Sequence, residues 1–113
     1  MRMIGLGLGW GWAATIVWLS LTPSPPQVDV QYGDKLGHFG AYGLLMFWFA
    51  LLYHRRPTRA LYMIGFIALG VGLEFLQGAL GTRTLDLADM AANSIGVLLG
   101  WAAALIVRKP VFR

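Results

Sequence analysis

The sequence predicts an all-α integral membrane protein, a four-helix bundle that forms one domain over residues 1–113 and has both termini in the cytoplasm. Its composition is the first observation that predicts this fold. Of the 113 residues, 58% are hydrophobic and 12% are charged, whereas soluble domains average about 45–50% apolar and about 25% charged residues. A soluble domain this small would expose much of that apolar surface to water. A lipid bilayer is the solvent that this composition fits.

The second observation is the length of the apolar segments. Each is close to the roughly 20 residues that a helix needs to cross about 30 Å of hydrocarbon. Helices are expected because backbone groups in lipid must be satisfied within the segment itself. The predicted spans are residues 3–21, 36–53, 60–80 and 85–107.

Proline and glycine separate these spans. Three prolines between residues 22 and 26 end the first span, and Pro57 follows the second. Proline lacks an amide hydrogen and disfavours the helical conformation in the residue before it. Gly78 and Gly81 mark a tight turn between the third and fourth spans.

The third observation is the distribution of basic residues. Four spans place the N-terminus, the 54–59 loop and the C-terminal tail on one side, which holds Arg2, Arg55, Arg56, Arg59, Arg108, Lys109 and Arg113. The opposite side holds Lys35 and Arg83. An excess of basic residues indicates the cytoplasmic side. This orientation explains the net charge of +4, so we expect no nucleic-acid partner.

Polar residues share one helical face in each of the last three spans, all toward the predicted outer side. These residues are Asp34, Lys35, His38 and Tyr42 in the second span, Glu74 and Gln77 in the third, and Asp86, Asp89 and Asn93 in the fourth. A charge at the membrane centre costs about 2.5–3.5 kcal/mol on insertion scales, so such residues are usually paired or functional. We expect these faces to converge on an outward-facing pocket, and with Arg83 they form the predicted ligand-binding set.

This set is compatible with three kinds of chemistry. Lys35, Arg83 and His38 could hold an anionic headgroup, while Asp and Asn side chains bind hydroxyls or amides. His38 with Glu74 or Asp89 could instead perform acid–base catalysis. The same polar groups could also simply join the helices by hydrogen bonds. We assign no metal site and no cofactor, since no compact ligand motif is present.

Glycines at four-residue spacing predict close helix packing. The pairs are Gly5/Gly9, Gly7/Gly11 and Gly96/Gly100. Such faces can join two copies of the chain or pack helices within one copy, so a homo-oligomer remains one of two alternatives.

Several of these residues form ordered motifs over about residues 34–100. They are Asp34-Lys35-Leu36-Gly37-His38-Phe39 with Tyr42, then Glu74-x-x-Gln77, then Arg83, then Asp89-x-x-x-Asn93-x-x-Gly96. This pattern resembles the VanZ-like family of bacterial membrane proteins. The resemblance implies a multi-span bundle in the cell inner membrane, associated in its founding members with low-level resistance to teicoplanin. It also implies that the signature positions are Asp34, Lys35, His38, Glu74, Gln77, Arg83, Asp89 and Asn93.

The favoured hypothesis is an outward-facing pocket that binds an envelope lipid or glycolipid headgroup and contributes to glycopeptide resistance or cell-envelope homeostasis. The expected partner is a membrane lipid or a lipid-linked envelope precursor. One alternative is an intramembrane hydrolase or transferase acting on a lipid-linked phosphate or sugar, with His38, Glu74 and Asp89 as candidate catalytic residues. The other alternative is a structural scaffold subunit.

Overall fold

The computed structural model describes residues 2–21, 33–81 and 87–107, with the backbone alone described at residues 2 and 33–36. These segments form four helices, which are α1 (Arg2–Leu21), α2 (Gly33–Leu52), α3 (Arg56–Leu80) and α4 (Leu87–Ala104). The described residues contain no strand. The prediction of an all-α, four-helix protein is confirmed.

The helix boundaries differ from the predicted spans mainly at α3. This helix begins at Arg56, four residues before the predicted start, because Pro57 occupies its first turn, where the missing amide hydrogen costs nothing. Pro57 therefore begins a helix rather than merely ending the previous one. At the other end, Gly81 adopts a left-handed φ of 73° and its N–H donates to the Gly78 carbonyl at 3.2 Å, which ends α3 as expected for a glycine at this position.

Three of the four helices are long and apolar enough to cross a membrane, namely α1 over Met3–Leu21, α3 and α4. At about 1.5 Å per residue, the 25 residues of α3 extend about 37 Å. The described apolar part of α2, Gly37–Leu52, is shorter. The membrane prediction is thus supported by α1, α3 and α4, whereas the described apolar part of α2 is too short to be counted with them.

Helix α2 is the central helix of the bundle. It contacts each of the other three helices, while α1 and α4 do not contact each other within the described residues. Five of its buried positions follow the helical repeat, namely Tyr42, Leu45, Met46, Phe49 and Ala50, and the last two residues of the helix, Leu51 and Leu52, are buried as well. A helix buried on this face by several neighbours depends less on lipid for its surroundings than the outer helices do.

The backbones of α2 and α4 touch at glycines. A Cβ atom on Gly96 would collide with the Phe39 carbonyl oxygen and lie 3.2 Å from the Gly43 nitrogen. A Cβ atom on Gly100 would collide with the Gly43 carbonyl oxygen and lie 3.0 Å from the Phe47 nitrogen. The predicted close approach at the Gly96/Gly100 pair is therefore confirmed, and it lies inside one copy of the chain.

Helix α1 packs on α2 through a second glycine pair. A Cβ on Gly5 would lie 2.7 Å from Leu52 Cδ2, and one on Gly9 would lie 2.8 Å from the Phe49 ring. Two of the three predicted glycine pairs thus pack against α2 within one copy of the chain.

Two tryptophans strengthen the same interface. Trp48 Nε1 of α2 donates to the Gly5 carbonyl oxygen at 2.8 Å, and Trp12 Nε1 of α1 donates to the Ala41 carbonyl oxygen at 3.1 Å. An indole N–H in an apolar bundle needs an acceptor, so each tryptophan connects its helix to the neighbouring backbone.

A buried arginine closes the end of α2. Arg59 on α3 is 6% exposed, and its Nε donates to the Tyr53 carbonyl at 2.7 Å and to the Ala50 carbonyl at 3.1 Å. Its Nη2 donates to the same Ala50 oxygen at 2.6 Å. Carbonyls in the last turn of a helix lack intrahelical donors, so Arg59 supplies them from the next helix.

His54 lies in the connection between α2 and α3. Burial lowers the pKa of His54, and the nearby positive charge of Arg59 lowers it further. The imidazole is therefore neutral at pH 7, because its ordinary pKa of about 6.5 already lies below that pH. The end of the bundle that carries residues 53–56 is called the loop end below, and the opposite end is called the site end.

Candidate ligand site at one end of the bundle

The site end is the end at which α1 and α3 finish and α2 and α4 begin. Six members of the predicted ligand-binding set are described there with their side chains: His38, Tyr42, Glu74, Gln77, Asp89 and Asn93. Arg83, Asp86 and the side chains of Asp34 and Lys35 lie outside the described part of the structure. The described members come from three different helices, α2, α3 and α4.

His38 and Asp89 approach each other across the α2–α4 interface. His38 Nε2 lies 3.8 Å from Asp89 Oδ2, and the side chains are 15% and 12% exposed. This distance exceeds that of a hydrogen bond, although a protonated imidazole at this distance is an ion-pair partner. The glycine contact beneath them allows this approach, since Gly96 lies against the carbonyl of Phe39, the residue next to His38.

Glu74 of α3 is buried beside Tyr42. The residue is 2% exposed, and Tyr42 of α2 is 1% exposed. The Glu74 carboxyl and the Tyr42 phenol are close enough to interact electrostatically. A buried carboxyl is costly unless neighbouring polar groups compensate it, so this α2–α3 pair is a candidate for both binding and structural roles.

Gln77 connects α3 to α1. Its Nε2 donates to the backbone carbonyl of Ser20 in the last turn of α1, where carbonyls lack intrahelical donors. Gln77 is 1% exposed and Ser20 is 6% exposed. Sequence reasoning placed no α1 residue at the site, because a backbone acceptor leaves no trace in a side-chain pattern. The donor group of Gln77 is thus used within the bundle.

Asn93 lies one helical turn beyond Asp89 on the same face of α4. It is 3% exposed and packs against Gly70 of α3, where a Cβ atom would lie 3.0 Å from Asn93 Cβ and 3.1 Å from Asn93 Nδ2. Its Oδ1 is buried and has no hydrogen-bond partner among the described residues. Leaving a buried acceptor unsatisfied costs about 1–3 kcal/mol, so a donor that reached this oxygen would stabilise the site.

The described side chains of the site end supply both hydrogen-bond acceptors and donors. Two acceptors are the carboxyls of Glu74 and Asp89, and a third is the amide oxygen of Asn93. The Tyr42 hydroxyl and the Asn93 amide nitrogen can donate, and the imidazole of His38 can donate or accept. Within the described residues, no group of three or more His, Asp or Glu side chains could hold a metal ion. This arrangement can bind hydroxyl or amine groups and can transfer protons between an imidazole and a carboxyl.

A family model described as VanZ/LLP1 matches residues 5–108. The chain belongs to the VanZ/LLP1 family. The matched region contains every residue of the predicted ligand-binding set and confirms the resemblance found in the motifs. Together with the three helices that are able to span a membrane, membership of the VanZ/LLP1 family identifies a membrane protein.

A protein of Schizosaccharomyces pombe, described as uncharacterized, is 33% identical to this VanZ/LLP1 chain over 87 residues. The alignment covers 74% of this chain and 54% of the yeast protein, so the chain spans about half the length of the curated relative that it matches. No solved structure matches the chain.

Proposed function

We propose that this VanZ/LLP1 protein binds the headgroup of a membrane lipid at the site end, through His38, Glu74 and Asp89. The observation that carries this proposal is the His38–Asp89 pair, whose Nε2 and Oδ2 atoms are 3.8 Å apart in side chains that are still 15% and 12% exposed. A network that served packing alone would gain most from shorter hydrogen bonds. Because both side chains are partly exposed, a ligand group can reach them from outside the bundle.

The buried acceptors define the kind of headgroup that fits. Carboxyls on α3 and α4 and the unsatisfied Oδ1 of Asn93 favour a ligand that brings hydroxyl or amine hydrogens. Glycerol, ethanolamine and sugar headgroups meet this requirement.

The orientation predicted from the basic residues places this site at the outer side of the bacterial inner membrane. There, binding of an envelope lipid or glycolipid would contribute to envelope homeostasis. It would also limit the access of glycopeptides such as teicoplanin to their lipid-linked targets, which is the role implied by the founding members of the family.

Removing the two carboxyl charges should reduce lipid retention. In the double variant Asp89→Asn/Glu74→Gln, we expect the preferred lipid to co-purify at least about tenfold less, because a hydrogen bond to a charged group contributes about 1.5–3 kcal/mol. The measurement is mass spectrometry of lipids extracted from the full chain after purification in mild detergent. Thr15→Ala is a suitable control, because Thr15 is an exposed α1 residue whose hydroxyl bonds to the Gly11 carbonyl in its own helix.

Thermal unfolding of the same samples distinguishes a lipid-binding role of the two carboxyls from a purely structural role. If the carboxyls only hold the bundle together, lipid loss will follow the loss of thermal stability from variant to variant. Lipid profiles that are identical in the wild type and the double variant would refute the proposed binding site.

The same His38–Asp89 pair supports a second candidate function, acid–base catalysis on a lipid-linked phosphate or sugar. A carboxyl beside an imidazole can orient the ring and stabilise its protonated form during proton transfer, and such contacts are often long before substrate binds. In this case His38→Gln should lower the turnover rate by about 10²–10⁴-fold while lipid retention stays unchanged. The assay is product detection by mass spectrometry over a panel of envelope lipids, with and without divalent metal. Absence of wild-type turnover across that panel would exclude this candidate.

A further inference from the structure

The loop end presents two adjacent exposed arginines, Arg55 and Arg56. They lie between the last residue of α2, Leu52, and the first turn of α3. Neither side chain makes a hydrogen bond within the described residues, and Arg55 precedes α3 without capping it by its side chain. Both guanidinium groups are therefore available to an external partner.

This connection is held in a fixed shape by a third arginine. Arg59 donates three hydrogen bonds to the carbonyls of Ala50 and Tyr53, and the Arg59 backbone N–H donates to the Arg55 carbonyl at 3.0 Å. Arg59 is 6% exposed, so it is used to build the turn and not to display charge. A preformed turn pays less conformational entropy on binding than a flexible basic tail does.

The position of this turn determines which partner it meets. Since α3 is long and apolar enough to cross a membrane from this end, we expect Arg55 and Arg56 to lie near the lipid phosphates. A guanidinium binds two phosphate oxygens with parallel N–H groups, and basic residues at a membrane surface favour anionic lipids.

We propose that Arg55 and Arg56 bind the phosphodiester headgroup of an anionic phospholipid in the leaflet at the loop end. This lipid site is separate from the ligand site at the site end and does not depend on it. It presents cationic guanidinium groups, which bind phosphate oxygens, whereas the site end carries the carboxyls of Glu74 and Asp89, so the two ends select different headgroups.

The test compares retention of phosphatidylglycerol, which is anionic, with that of phosphatidylcholine, which is zwitterionic. The full chain in detergent micelles is titrated with each lipid, and bound lipids are counted by native mass spectrometry. The wild type should retain phosphatidylglycerol preferentially. The double variant Arg55→Gln/Arg56→Gln should lower the ratio of phosphatidylglycerol to phosphatidylcholine by about fivefold for each arginine.

A charge-matched control distinguishes a built site from general basicity. Arg108→Gln/Lys109→Gln removes two basic charges from the segment that follows α4. We expect it to lower the ratio less than the loop variant does, because general surface attraction acts on both segments and the preformed turn adds to it only at the loop. The double variant Arg55→Lys/Arg56→Lys should give a ratio between those of the wild type and the glutamine variant. It keeps the positive charges but loses the planar guanidinium groups that bind two oxygens at once. Equal losses in the loop and tail variants, or no preference in the wild type, would overturn the assignment.

Discussion

Substitution of Gly100 by valine should separate α2 from α4 and lower the free energy of unfolding by about 3 kcal/mol. The added Cβ would collide with the Gly43 carbonyl oxygen and lie 3.0 Å from the Phe47 nitrogen. Both are backbone atoms of the central helix, so no side-chain rotation relieves the clash. The measurement is reversible unfolding of the full chain in mixed micelles, followed by circular dichroism as the fraction of denaturing detergent is raised.

Gly11, an exposed glycine of α1, provides the matched control. A Cβ atom on Gly11 would meet no neighbouring atom within 4 Å, so Gly11→Val should change the free energy of unfolding by no more than about 0.5 kcal/mol. Equal destabilisation by the two valines would mean that the α2–α4 contact contributes nothing beyond helix propensity.

The Gly100 variant should also affect the site end. His38 and Asp89 are on the two helices that the glycines bring together, and their 3.8 Å separation depends on that close approach. We therefore expect loss of lipid retention in Gly100→Val without any change to a polar side chain.

The fold class and the polar faces were predictable because both follow from residue type and helical period. The chain is 58% hydrophobic, and its apolar segments are each near 20 residues long. Segments of that length cross a membrane as helices. Spacing alone assigned His38, Glu74 and Asp89 to polar helical faces, and all three side chains are buried or half-buried in the bundle. The close helix approach at the Gly96/Gly100 pair was likewise predictable, because small residues four positions apart create a groove on one side of a helix.

The remaining features depend on backbone groups, which the side-chain pattern does not show. Gln77 was predicted as a ligand residue, and its donor contacts the Ser20 carbonyl at the end of α1. Arg59 was counted only among the orienting charges, yet it folds back onto the Ala50 carbonyl. In both cases the acceptor is a backbone carbonyl near the end of a helix, where intrahelical donors are missing. Its position depends on where that helix ends.

Replacement of Arg59 by leucine should lower the free energy of unfolding by about 3 kcal/mol. It removes three charge-assisted hydrogen bonds and leaves the carbonyls of Ala50 and Tyr53 without these donors in a site that is 6% exposed at Arg59. Hydrogen bonds to charged groups contribute about 1.5–3 kcal/mol each, and unsatisfied buried acceptors add a further cost. The measurement is the same unfolding titration in mixed micelles. Arg59→Lys should be intermediate, since an ammonium keeps the charge but cannot reproduce the planar geometry.

A variant of the exposed neighbour Arg56 serves as the control that distinguishes the loss of these hydrogen bonds from the loss of a positive charge. Arg56→Leu removes the same charge from the same turn, yet should change the free energy of unfolding by no more than about 0.5 kcal/mol. A fixed turn is needed to present Arg55 and Arg56 together, so we expect Arg59→Leu to weaken the phosphatidylglycerol preference as well, although both exposed arginines remain. Full preference in a destabilised Arg59→Leu protein would show that the arginines bind lipid without help from the turn.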